Sequence, residues 1–251
     1  MDKELENTAN DFGVLNTPLS QYNTFLIAPT SGGRDCTQNR IAAMIDKRFS
    51  EEQALILRKA VGHLATKIGL CDRENFLRQT PVDFRSTSLW WPWVYKPDGS
   101  NTSREMSSIR AAFQRMLGRC FDVDGEDETS LSNLWEANHF YRGLQIGYFE
   151  QDRDSDGRFT AGLGTVNSYC DHSVISIAIN SMVIGPDADI SIRENIEYFG
   201  ALIAHELLHN LGWRHLSGDR QKAVMYQFQS WVAGPELNLV DPSLPKSCAF
   251  E

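Results

Sequence analysis

The sharpest amphipathic pattern in the chain runs through Ala54, Leu57, Val61, Leu64 and Ile68, spaced three and four apart as one face of an α-helix requires. Ser50 and Gln53 stand before it in the order of a capping box, and Gly69 follows it, so both ends of this predicted helix carry stop signals. A second helix is predicted after the pair Thr102 and Glu105, with Met106, Ile109, Phe113, Met116 and Leu117 on its apolar face and Gly118 at its end. A third, over about residues 191–211, opens at Ser191 and Glu194 and shows Ile196, Phe199 and Ile203 on one face. Short runs of β-branched and aromatic residues predict strands at 25–28, 82–87, 143–149 and 174–180, with 162–167 as a further candidate.

The third helix carries the densest chemistry. Residues 205–215 read His-Glu-Leu-Leu-His-Asn-Leu-Gly-Trp-Arg-His. His205 and His209 lie one turn apart on the same helical face and can aim their imidazoles at one point. Glu206 sits beside the first of them, where a carboxylate can act as general base on a water. Gly212 falls where a helix closes with a left-handed residue, and the turn there would return His215 to the same point. Three neutral nitrogens with a fourth position open describe a catalytic zinc site rather than a structural one. Read blandly, these are ordinary histidines of a surface or core helix, but five fixed positions seldom coincide in that way.

This stretch, together with Ala223-Val224-Met225-Tyr226, resembles the zinc-binding signature and methionine turn of the metzincin metallopeptidases. The resemblance implies that His205, His209 and His215 are zinc ligands, Glu206 the general base and Gly212 the turn glycine. Met225 would form an apolar floor beneath the ligands, a place suited to a soft thioether. Leu216 stands where astacin-like members carry Glu and adamalysin-like members Asp, and Gln227 occupies the place of a zinc-contacting tyrosine. The subfamily is therefore unassigned, with a methionine turn closest to that of the matrixins.

The implied fold is α+β of the metzincin kind: a twisted, mostly parallel sheet with an antiparallel edge strand, a backing helix and the zinc helix, and a small C-terminal subdomain below the cleft. On this reading residues 1–49 are an N-terminal extension or pro-segment, 50–212 the upper catalytic subdomain, and 213–251 the lower one. The strand nearest the zinc helix would pair with substrate, and 162–167 or 174–180 can supply it. Tyr226, Phe228 and Trp231, after the methionine, are candidates for the specificity pocket.

Composition narrows the partners. With 251 residues, 41% of them hydrophobic, the chain can bury a substantial core. A net charge of -9 without a dense Lys/Arg block argues against nucleic acid or an anionic membrane as partner. No apolar run reaches the roughly 18 residues of a membrane helix, and the first residues do not read as a signal peptide. The expectation is a secreted or extracellular protein, favoured as a monomer, acting on protein or peptide.

Five cysteines, at 36, 71, 120, 170 and 248, contain no CxxC pair, and in an exported protein they allow two disulfides and one free thiol. Cys36 also raises the idea of a thiolate that blocks the metal in a latent form, against the plainer reading of a buried small residue. Three tryptophans between Leu89 and Tyr95 suit either a ring platform for substrate or glycan, or a layer anchoring a loop. Asp152, Asp154 and Asp156 with Gly157 match the opening of a calcium loop; Leu163 at its twelfth position excludes a full EF-hand, which leaves calcium held by the three carboxylates and a carbonyl, or a solvated acidic turn.

The function expected is that of a zinc-dependent endopeptidase. Two alternatives stand beside it: a catalytically idle protein- or glycan-binding module on the same fold, and a zinc hydrolase of a non-peptide amide.

Overall fold

The computed structural model describes residues 19–31, 34–35, 40–71, 113, 117, 143–152, 155, 160–164, 175–184, 193–210 and 220–234. A five-stranded mixed sheet of order β1-β4-β5-β7-β6 forms its centre. Its strands are β1 (Tyr22–Ile27), β4 (Ile41–Asp46), β5 (Leu144–Phe149), β6 (Gly162–Gly164) and β7 (Ile175–Asn180). Between β1 and β4, β2 (Thr30–Ser31) and β3 (Arg34–Asp35) pair with each other as a small antiparallel ribbon. Among the described residues the helical elements α1 (Glu51–Lys67), α2 (Arg193–Asn210) and α3 (Arg220–Ala233) accompany the sheet. The class is α+β.

β4, β5 and β7 run parallel, while β1 pairs antiparallel with β4 and β6 antiparallel with β7. Both edges are therefore antiparallel, where the sequence pointed to one. Among the described residues between β1 and β4 there is no crossover helix, and strands joined without one pair antiparallel. The same pairing corrects the expected boundary at residue 49. Residues 22–46 supply two of the five strands, so this part of the chain belongs to the sheet and is not an appendage to it.

Burial explains which strand sits where. All six residues of β4 are buried, as expected of a strand covered on both faces. β1, at the edge, exposes Asn23 and buries Tyr22 and Ile27. At the end of β4 the buried Asp46 carboxylate accepts from Arg48 Nε at 3.1 Å and Nη2 at 2.7 Å. That hydrogen bond is the main reason the Arg48 pKa is raised.

α1 follows the predicted pattern closely. Gln53 N donates to Ser50 Oγ at 3.2 Å, and Ser50 N donates to Gln53 Oε1 at 3.0 Å, completing the capping box. The Gln53 amide also donates to the Ile184 carbonyl at 2.6 Å, tying the helix start to the turn after β7. At the other end Gly69 takes φ 79°, with Gly69 N donating to Thr66 O and Leu70 N to Ala65 O, the two bonds of a Schellman motif. Ser50→Ala is expected to cost about 1 kcal/mol, read as a lower urea midpoint at unchanged slope.

α1 packs along α2, and α2 along α3. The contact is close at Gly200, where a Cβ would lie 2.9 Å from His63 Cδ2 and 3.2 Å from the Ala60 carbonyl. His63, on α1, is part-buried, and its Nε2–H donates to the Val232 carbonyl at 2.8 Å. A polar side chain inside a helix bundle needs such a partner. One apolar core joins these helices to the sheet, including Ile45, Leu57, Leu64, Ile146, Ile177, Leu202 and Phe228. Phe113 and Leu117, from the second predicted helix, are fully buried in it.

Cys71 is disulfide-bonded. Among the described residues no helix is long and apolar enough to cross a membrane. The strand predicted at 82–87, the tryptophan cluster and Cys36 lie outside the described residues.

Candidate metal centre

α2 is an apolar helix that carries a polar stripe into the interior. His205 and Glu206 are fully buried and His209 is 6% exposed. The two imidazoles lie one turn apart with ring centres 5.3 Å apart and planes at 76°. Two histidines sharing one tetrahedral ion through nitrogens at 2.0–2.1 Å have ring centres roughly 5 Å apart, so the pair fits a common metal. Neutral imidazoles on adjacent turns are also the donor type that zinc takes.

A residue from another helix orients the first of them. Gln229, on α3 and 3% exposed, lies with its Oε1 3.0 Å from His205 Nδ1. With the carbonyl oxygen as acceptor, Nδ1 carries the proton and Nε2 is left with its lone pair. Tyr226, also on α3, places its ring centre 5.7 Å from that of His205.

Edge strand β6 covers the opposite flank. It pairs with β7 in the register Gly162↔Ile179, Leu163↔Ala178 and Gly164↔Ile177. Side chains alternate across a strand, so Leu163 packs with Phe149 and Ala178 on one face while both glycines turn to α2. A Cβ at Gly162 would sit 2.7 Å from Glu206 Cγ and Oε1. At Gly164 a Cβ would meet the Glu206 carbonyl oxygen and lie 2.7 Å from His209 Cβ. Only a strand without side chains on this face comes so close to a helix, and it comes close at Glu206 and His209.

Buried polar contacts hold this arrangement in place. Asn210 Nδ2 donates to the Ser176 carbonyl on β7 at 3.0 Å and to the Glu206 carbonyl at 3.3 Å. Ser176 Oγ in turn donates to Gln145 Oε1 at 2.7 Å, across the β5–β7 pair. Asn180, fully buried, donates to the carbonyls of Gln151 and Thr160 and accepts from Met182 N. It thereby anchors the chain just before β6 to the end of β7.

Of the residues singled out in the sequence, His205, Glu206 and His209 share this site and Tyr226 adjoins it. His215 and Gly212 lie outside the described residues, as do Asp154 and Asp156, while Asp152 is exposed. Among the described residues no group of three His, Cys, Asp or Glu side chains is placed to hold a metal ion by itself. The segment expected as a methionine turn is helical instead, because Met225 falls within α3. Arg220 to Ala233 contains neither Gly nor Pro and opens with good helix formers, so nothing in it breaks the backbone.

Phe228, expected at the specificity pocket, belongs to the main core. Its ring centre lies 4.7 Å from that of Phe113 and 5.4 Å from that of Trp231. Trp231 is 37% exposed.

The residues that sequence reasoning missed are Gln229, Asn210 and the two glycines of β6. Gln229 did leave a signal, as a polar residue between Phe228 and Val232 on the buried face of an amphipathic helix. The glycine pair is alternate in a short apolar run, which marks a close backbone approach.

No family model, curated protein or solved structure matches this chain.

Proposed function

We propose that this chain is a metzincin-like zinc endopeptidase. The observation that carries the proposal is the buried face of α2, where two imidazoles at a spacing fit for one ion flank a glutamate beneath a glycine edge strand. His205 and His209 would hold the metal, with His215 as the third ligand implied by the sequence motif. Zinc held there supplies Lewis acidity, which activates water near neutral pH and polarises a substrate carbonyl. Glu206 accepts the proton of the attacking water on its carboxylate and returns it to the leaving amine nitrogen. Gln229 fixes the orientation of His205 from behind.

The substrate is an extended peptide. β6 stands at the end of the strand order, and an added strand there would lie alongside Glu206, with main-chain hydrogen bonds giving affinity. The disulfide at Cys71 supports a secreted protein, since such bonds persist in oxidising compartments.

The test is zinc content together with cleavage of an unstructured protein such as casein. One zinc per chain is expected, with cleavage abolished by a chelator and restored by added zinc. His209→Ala should lose both zinc and cleavage. A parent protein that cleaves equally well without zinc would overturn the proposal.

A further inference from the structure

The contact between α3 and the zinc helix assigns Gln229 a specific task, and resting on the function proposed above, we infer that it sets the metal affinity of the site. Gln229 reaches His205 from a separate helix, 24 residues further along the chain, and both side chains are buried. The Nδ1···Oε1 distance of 3.0 Å is that of a good N–H···O bond. An imidazole has one proton to place when neutral, and a carbonyl acceptor at Nδ1 draws it there. Nε2, on the far side of the ring, then carries the lone pair that a metal needs. The same bond resists turning of the ring about its Cβ–Cγ axis, because a turn would break it between two buried side chains.

The neighbours of Gln229 point to orientation of the site rather than simple packing. Phe228, Val232 and Ala233, which surround it on α3, are fully buried and apolar. A glutamine among them carries a desolvation cost that an aliphatic side chain would avoid. Its oxygen meets that cost by accepting from a metal-ligand candidate. Gln229 is thus a positioning residue, acting on the metal through His205. It also makes the two helices interdependent, since a shift of α3 moves the acceptor away from the ring.

The experiment compares the full chain with Gln229→Met, which keeps the side-chain length without an acceptor, and Gln229→Glu, which keeps the acceptor. Zinc affinity is measured by competition with a chromogenic chelator, and the protonated nitrogen of His205 by long-range ¹H–¹⁵N correlation in metal-free protein. Gln229→Met is expected to bind zinc about 10–100-fold more weakly, with Gln229→Glu close to the parent. The parent's His205 should carry its proton on Nδ1, and in Gln229→Met the proton should move largely to Nε2. Equal zinc affinity in Gln229→Met and parent overturns the inference, as does an equal loss in both variants. So does an Nε2-protonated His205 in the parent, a result that needs no variant to fold. If the parent binds no zinc, the proposed function fails, while the Nδ1 signal still reports whether Gln229 orients the ring.

Discussion

Glu206→Ala is expected to lower peptide hydrolysis by about 10²–10⁴-fold, the usual contribution of a positioned general base, while zinc content stays at one per chain. The separation of the two readouts follows from the site. Zinc is assigned to imidazole nitrogens, and Glu206 is set one residue along from His205, close under β6, with its side chain where a Cβ of Gly162 would fall. The loss should therefore appear in kcat more than in KM, because the role proposed for the carboxylate is on the proton of water and not on the resting peptide. Removing a fully buried side chain also leaves a hole beneath β6, so Glu206→Gln serves as the volume-conserving control. The glutamine variant should be as inactive as the alanine variant and closer to the parent in thermal stability. Parental turnover by Glu206→Gln would remove Glu206 from the mechanism.

The second large effect is expected at Gly164. An alanine there points its Cβ at the Glu206 carbonyl oxygen and at His209 Cβ, 2.7 Å away. Neither atom can rotate aside, because one is helix backbone and the other is fixed by it. Either β6 lifts from α2 or the helix moves, and overpacking of this kind costs about 1–3 kcal/mol. Since the displaced atoms belong to Glu206 and His209, the proposed base and a proposed ligand, zinc affinity should fall together with stability. Leu163→Ala supplies the contrast. That side chain packs on the other face, with Phe149 and Ala178, so its loss should lower stability and leave zinc affinity unchanged. Urea denaturation and chelator competition on both variants make the comparison. A Gly164→Ala protein with parental stability and parental affinity would contradict the close seating of β6 on α2.

Much of the site was legible because its geometry is local. His205, Glu206 and His209 are set relative to each other by the helical repeat alone, and the structure places the two rings as that repeat requires. The bounds of α1 were equally open to reading, since Ser50, Gln53 and Gly69 act within one turn of the residues they cap. The strands at 22–27, 144–149 and 175–180 likewise lie under apolar runs recognised in the sequence, which extended only partly over the first of them. Local signals misled where a motif's usual conformation was carried over to a segment that lacks the residues to enforce it. Met225 is the example, placed in α3 by a stretch with no breaker in it.

Sequence by itself determined the chemical types and the helical spacing of His205, Glu206 and His209, because side-chain chemistry and a 3.6-residue period need no distant partner. Tertiary structure alone decided that residues 22–46 complete the sheet, that Gln229 faces His205, and that two glycines of β6 press on Glu206 and His209. Each of those joins segments far apart in the chain. Such contacts are chosen by how whole helices and strands bury their apolar faces together, and no local periodicity records which polar atom that packing brings to which ring.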